Sequence, residues 1–512
     1  MLKKILILLS VAILPLQGAQ YNKKIGVIYD SINPDSLTEL FAFYHIYPET
    51  LHGKKAFDRA WELINKHRDL PISPLKDILL PKLDIDPFIT MVTKQAGDQV
   101  PTISDQTLAM IDHISSHLHH NKLKGHTVWK KSEVQELNSP EIDLARALLI
   151  YQFGDDKKQE IRSYEAYLDL MALQILSKLP KNPTDLQIID AISHYIFQDM
   201  RFRFPPHSMW AKEVDSYTFL SAVLDSRHGV CLGVSILYLS LAQRLNLSLQ
   251  IVTPPGHIYV AYKKADGSKI NIETTARGVD LPDERYLSIN TCKLVERSLK
   301  EVIGMNFQNA AATEWHKKKY EEALKLYDIA KIYMPDDPLL DIFMGFNYLF
   351  IGNEEEAKKL LSRAKDHPPR DHVYPDTTLI DYLDGKTDGE SIKAIYEHVD
   401  ETRESILKKQ DELLKMIEKW PEFREGLFHI AVTYLQLGRS KEGLEWLNKY
   451  HDLDNHNPTV EYYLGILCLN RFQFKKACEH IHRCEEILTY RGHHPKALQG
   501  LLTQLRTTAP FY

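Results

Sequence analysis

The stretch SRHGVCLGVSILYLSLAQRL, residues 226–245, decides how the middle of the chain is read. From Cys231 to Leu245 it is nearly all apolar, through Leu232, Val234, Ile236, Leu237, Leu239, Leu241 and Ala242, which predicts a helix buried on most sides. Gly229 punctuates its start, so Cys231 falls at or near the helix N-terminus. Unpaired backbone N–H groups and the helix dipole favour negative charge there, the state in which a thiol acts as a nucleophile. The other reading of a free cysteine is a small buried hydrophobe.

On the N-terminal side, apolar residues recur at three and four over Ile142–Phe153, Tyr164–Leu179 and Ile188–Gln198, predicting three amphipathic helices. Downstream, Leu249–Thr253, Ile258–Tyr262 and Ile270–Ile272 are β-branched and aromatic runs. Pro254–Pro255–Gly256 and Asp266–Gly267 separate them as turns. His257 opens the second strand and Glu273 ends the third. Antiparallel partners bring such side chains together. Cys231, His257 and Glu273 are therefore the candidate catalytic residues, in the roles of nucleophile, base and the acid that orients the base. His228 stands three residues before the cysteine and reads as a loop residue able to tune it.

These segments resemble the transglutaminase-like superfamily, whose fold is related to that of papain-type cysteine proteases. The likeness is to a bacterial branch. It rests on Asp143–Leu144–Ala145–Arg146–Ala147–Leu148–Leu149, Tyr164–Glu165–Ala166–Tyr167–Leu168, Arg227–His228–Gly229–Val230–Cys231–Leu232 and Pro255–Gly256–His257. It spans about residues 140 to 290. The resemblance implies an aspartate followed by proline as the third catalytic residue. Here Glu273 is followed by Thr274 and Thr275, so a longer carboxylate must orient His257 from a strand set further away. The branch also contains members without the nucleophile, so the resemblance carries an inactive scaffold as its second implication.

The C-terminal half repeats. Gly304 and Pro338 begin segments 34 residues apart, in which Ala311 meets Gly345, Ala323 meets Ala357, Tyr327 meets Leu361, Ala330 meets Ala364 and Pro335 meets Pro369. A second pair begins at Arg424 and Pro458, aligning Ala431 with Gly465, Gly443 with Ala477 and Leu447 with Ile481. Paired helices approach closely only where small residues face each other, while large ones fill the groove to the next repeat. The spacing resembles the tetratricopeptide repeat, whose arrays present a concave surface to a peptide or protein. Between the pairs, Ser391–Lys419 reads as one or two charged helices, with a degenerate repeat starting near Glu390.

The fold class is therefore α+β and mostly helical. A papain/transglutaminase-like domain, built of a buried cysteine helix and a small antiparallel sheet, precedes a tetratricopeptide-type α-solenoid. At 512 residues the chain exceeds a single core. The expected divisions are a signal peptide over 1–19, a helical region over 20–139, the transglutaminase-like domain over 140–300, repeat pairs over 304–371 and 424–491, a helical segment over 372–423, and a capping helix and tail over 492–512.

Lys3 and Lys4 before the apolar run Ile5–Leu16, with Gly18 and Ala19 after it, have the order of a secretory signal. They predict a periplasmic or secreted protein with no membrane contact after cleavage. A net charge of −6 gives no reason to expect nucleic acid. The five cysteines are too few for a disulfide framework, and Cys468, Cys478 and Cys484 read as packing residues in the repeats. His113, His117 and His120 share a face of a predicted helix, Ile103–His120. Without a second ligand segment they read as a polar face, and no metal or cofactor is expected. The functional expectation is an exported cysteine hydrolase or acyltransferase acting on a peptide or amide carbonyl, with repeats that bind a protein or peptide. The alternative is an inactive scaffold that assembles proteins through those repeats.

Overall fold

Each small residue of the 34-residue pattern sits where two helices touch. A Cβ on Gly345, in helix Pro338–Phe350, would lie 2.8 Å from Leu361 of the partner helix Glu354–Asp366. One on Gly465, in Pro458–Asn470, would lie 2.6 Å from Ile481 of Phe474–Tyr490. Leu299–His316 with Tyr320–Tyr333, and Arg424–Gln436 with Ser440–Leu453, make the other two hairpins. Their connecting turns share one left-handed position, held by Lys318, Gly352, Gly438 and Phe472 and spaced 34 residues apart within each pair. Such a residue ends a helix by turning the chain out of the helical path. Two of the four are not glycine, which hides the position from the sequence.

The computed structural model describes residues 18–69, 94–205, 214–400 and 402–509. Most of the expected signal segment, residues 1–17, and the proline breaks at Pro71–Pro74, Pro81 and Pro87 lie outside them. Helix Gly18–Ser31 starts within the last two residues assigned to that segment. Helices Leu37–Ile46 and Leu51–Asn65 follow and pack on the middle of the chain. Thr38 N–H donates to Gln174 Oε1 at 3.2 Å, and Lys94 Nζ donates to the carbonyls of Leu224 and Asp225 at 3.0 and 2.7 Å.

In the middle region, helices Leu144–Phe153 and Lys158–Lys178 enclose the cysteine helix Cys231–Arg244, and a sheet covers its far side. The sheet has strands β1 (Gln250–Thr253), β2 (Tyr259–Lys263), β3 (Lys269–Ile272) and β4 (Val295–Arg297), ordered β3-β2-β1-β4 and antiparallel throughout. The sequence pattern yields only the first three. β4 is three residues long and pairs with β1 across a long irregular connection, so it has neither alternation nor a turn to announce it.

One apolar core runs from the N-terminal helices through the cysteine helix into the first repeat pair, joining Leu40, Trp61, Leu149, Leu237 and Ala323. The Tyr151 and Tyr333 hydroxyls, 2.8 Å apart, tie the repeats to the helix Leu144–Phe153. The rest of the array has its own core, which the loop before β4 joins through Ile289. Cys292 N–H donates to Asp371 O at 2.8 Å and Val373 N–H to Asn290 O at 2.9 Å, so this loop is stitched to the repeats.

One expectation is corrected. The helix predicted over Ile103–His120 is Asp105–Ser115, followed by short 3-10 turns at His119–Lys122 and Lys124–Thr127. Ser116 Oγ bonds back to His113 O at 2.9 Å, the local competition by which serine ends helices. The segment between the repeat pairs holds Thr377–Leu383 besides the expected Gly389–Tyr396 and Arg403–Lys419. Lys496–Thr508 closes the array.

Candidate functional site

Cys231 is the first residue of its helix. Val230 at the N-cap offers no side-chain acceptor, so the N–H groups of the first turn stay free of a cap beside the thiol. The glycines around it are needed for packing. A Cβ on Gly233 would lie 2.2 Å from Tyr217 O, and one on Gly229 would lie 2.6 Å from Val234 Cγ2. The Gly-Val-Cys-Leu-Gly run thus presses the helix start against the 3-10 segment Val214–Thr218.

His257 is placed by its turn. Pro255 and Gly256, the latter at φ 69°, are the central residues, and His257 N–H closes the turn on Pro254 O at 3.0 Å. Proline followed by a left-handed glycine is the type II pattern. The register Val260 to Ile272 puts Glu273 opposite Tyr259, so His257 is its diagonal neighbour on one face.

The structure brings the three candidates together. His257 Nε2 and Glu273 Oε2 are 2.7 Å apart, and the Cys231 thiol also faces the imidazole. Burial works against a charged ring, yet the thiol and the carboxylate outweigh it and raise the His257 pKa from 6.5 to about 10. Burial likewise opposes charge on Glu273, but hydrogen bonds from His257, Thr275 and Tyr286 pull its pKa down to about 2. The His257 side chain is 25% exposed and that of Glu273 only 4%, so the imidazole is reachable and the carboxylate is sealed.

The extra methylene of Glu273 is absorbed by a turn rather than by a distant strand. Glu273 caps the 3-10 helix Thr274–Ala276, with Oε1 accepting from Thr275 N–H at 2.9 Å and from the Thr275 hydroxyl. Oε2 accepts from the Tyr286 hydroxyl as well as facing His257. The Tyr286 ring stacks on His257 at 5.7 Å and on Tyr259 at 4.5 Å between centroids. Sequence reading missed Tyr286, which lies in an irregular segment and belongs to no motif. Tyr286→Phe keeps the stack and removes the bond to the carboxylate. It is expected to slow alkylation of Cys231 by roughly tenfold, the equivalent of one bond to a charged acceptor, as read by mass spectrometry over time.

His228 bridges to Arg203 and faces Tyr217 at 6.2 Å between ring centroids, which makes it part of the loop scaffold. A cavity of about 240 Å3 is lined by Gly229, Val234, Thr274, Thr275, Arg203 and Arg277. The five cysteines are unpaired, and burial pushes the Cys484 thiol up to about 12.

Two charged residues of the segments that carry the resemblance, Arg146 and Glu165, belong to the helices that pack on the cysteine helix. Arg146 and Glu165, both almost fully buried, form a two-bonded pair with Nη2 to Oε2 at 2.6 Å. The Arg146 guanidinium lies 3.9 Å from the Trp129 ring centroid. The histidine set His113, His117 and His120 is not assembled, since His117 Nδ1 meets Arg68 at 2.9 Å and the helix has ended. Among the described residues, two other groups hold potential ligand atoms within 4.8 Å of one another, His120 with His126 and Asp143, and His451 with Glu461 and His480.

Cys231 thus opens a helix beside the antiparallel sheet that carries His257 and Glu273. The family model of the transglutaminase-like superfamily matches residues 162–302, so the chain carries such a domain, and Cys231, His257 and Glu273 lie within it. No curated protein matches the chain. Among solved structures it is similar to the TPR2AB domain of yeast Sti1 in its pHSP90 complex. That likeness is 14% identical, covers 40% of this chain and 85% of that one, and has a TM-score of 0.21. A thermophilic TPR protein of Thermus thermophilus is 16% identical over 41% of this chain and 100% of that one, with a TM-score of 0.20. MamA is 14% identical over 36% and 96%, with a TM-score of 0.19. The tetratricopeptide-type repeats of this chain rest on its own 34-residue spacing and hairpin packing.

Proposed function

We propose that the protein is an exported cysteine acyltransferase or hydrolase acting on a peptide or amide carbonyl, with repeats that hold a protein or peptide. The observation that carries the reading is the imidazole of His257, addressed by the Cys231 thiol on one side and the Glu273 carboxylate on the other. The sulfur of Cys231, facing that ring, is the attacking atom in this reading.

In the proposed reaction the Cys231 sulfur bonds to the carbonyl carbon, and the negative oxygen is held by backbone N–H groups at the helix start. The C–N bond breaks as His257 passes its proton to the departing amine. Water or an acceptor amine then attacks the thioester, giving an acid or a new amide and returning the thiol. Glu273 keeps the imidazole oriented throughout, and Tyr286 keeps Glu273 in place. A groove among the repeats, with a cavity of about 270 Å3 lined by Tyr374, Asp376, Glu425, Phe428 and Asn457 among others, supports the binding role. The charged and apolar order of residues 3–16 supports export. Among the described residues no helix is long and apolar enough to cross a membrane.

Iodoacetamide labelling at neutral pH, mapped by peptide mass, tests the thiol. Cys231 is expected to be alkylated well ahead of Cys292, also half-buried, and the fast phase to vanish in Cys231→Ala. Equal rates at the two cysteines would remove the nucleophile from this reading.

A further inference from the structure

Behind the cysteine helix stands a group of side chains that the acyl-transfer reading does not use. His120, in the turn His119–Lys122, is fully buried, and neither ring nitrogen has a hydrogen-bond partner among the described residues. The nearest carboxylate oxygen, Asp169 Oδ1 at 3.3 Å from Nε2, is taken by Arg244 Nε at 2.7 Å. A buried polar group left unpaired is destabilising, so each such group in a folded protein calls for a cause.

The cause lies beside it. One ligand atom from each of His120, His126 and Asp143 falls within 4.8 Å of the others, and His126 Nδ1 is 3.2 Å from Asp143 Oδ2. Asp143 is itself buried, and its other oxygen is fixed by Arg146 N–H at 3.2 Å, so Oδ2 is presented to the histidines. Gly125 makes the approach possible, because a Cβ there would lie 2.4 Å from Asp143 N and 2.7 Å from Glu141 O. Only a glycine lets the turn Lys124–Thr127 lie flat on the start of helix Leu144–Phe153 and bring His126 onto Asp143.

The electrostatics fit a cation. The buried carboxylates here, Asp143, Glu165 and Asp169, outnumber the buried guanidiniums Arg146 and Arg244 by one. By contrast, the cluster in the repeats is already satisfied. Glu461 accepts from His451 at 2.5 Å and from His480 at 2.8 Å, and among the described residues no orphaned atom points into it.

We propose that His120, His126 and Asp143 bind one divalent transition-metal ion, zinc by preference, which clips residues 119–127 to the start of the helix that supports the cysteine helix. Two imidazoles and a carboxylate are a zinc ligand set. Zinc bonds of about 2.0–2.1 Å space tetrahedral ligand atoms about 3.3 Å apart. The His126 to Asp143 separation of 3.2 Å already meets that spacing, and a ligand atom of His120 lies within 4.8 Å of both. His126, with its side chain 25% exposed, is the way in.

The test uses the untagged full chain carrying Cys231→Ala, so that the thiol contributes nothing. It is stripped with a chelator and titrated with Zn2+ in competition with a chromophoric zinc chelator. One equivalent is expected to bind, with affinity reduced about 100-fold or more in His126→Gln and unchanged in His451→Gln. Asp143→Asn, which preserves volume, is expected to weaken binding in the same way. Zn2+ should also raise the thermal midpoint of the parent and not of His126→Gln. Absence of stoichiometric uptake by the parent, uptake indifferent to His126→Gln, or uptake lost in His451→Gln would each overturn the proposal.

Discussion

His257→Ala is expected to slow alkylation of Cys231 at pH 7 by about 100-fold or more, the scale at which a positioned acid–base group contributes. The variant removes the ring that the thiol faces while leaving the helix start and its N–H groups in place. A rate within about threefold of the parent would mean that the thiol owes its state to the helix alone. The pair also sets a pH window for stability. Because folding raises the His257 pKa from 6.5 to about 10, its stabilisation is complete below pH 6.5 and fades as the pH climbs through 10. Glu273 behaves in the opposite sense, contributing above its ordinary 4.5 and losing that contribution as the pH falls through about 2.

Arg146→Ala is expected to cost about 3–5 kcal/mol in a denaturant titration, because it leaves the Glu165 carboxylate buried and without its principal partner. Arg162 reaches that carboxylate only at 3.9 Å and cannot replace two direct bonds. Replacing both partners, Arg146→Met with Glu165→Leu, is expected to restore most of the loss, since neither charge is then stranded. A single variant as stable as the parent, or a double variant as weak as the single, would show that the pair is not the anchor of these two helices.

The sequence made some of this legible because the physical constraint was local. The apolar run after Cys231 has no solvent face to confuse its period, and the turn at Pro254–Pro255–Gly256 fixes where β2 begins. The repeats announce themselves because a helix hairpin tolerates only small residues at Gly345 and Gly465, at a fixed spacing. What stayed hidden depends on tertiary contact. Tyr286 reaches Glu273 from an irregular segment, β4 is recognised only by its pairing with β1, and the left-handed turns at Lys318 and Phe472 lack the glycine that would mark them. The histidines misled for a similar reason. His113, His117 and His120 share a face only if the helix runs on past Ser115, and Ser116 ends it first.

The central claim is that two side chains address one imidazole from opposite sides. Proton NMR of a chain carrying ring-labelled histidine, with the His257 signal identified by its loss in His257→Ala, follows that ring through pH 5 to 11. The account predicts a midpoint near 10 in the parent, displaced downward in both Cys231→Ala and Glu273→Gln. A midpoint at or below 6.5 in the parent, unmoved by either substitution, would contradict it.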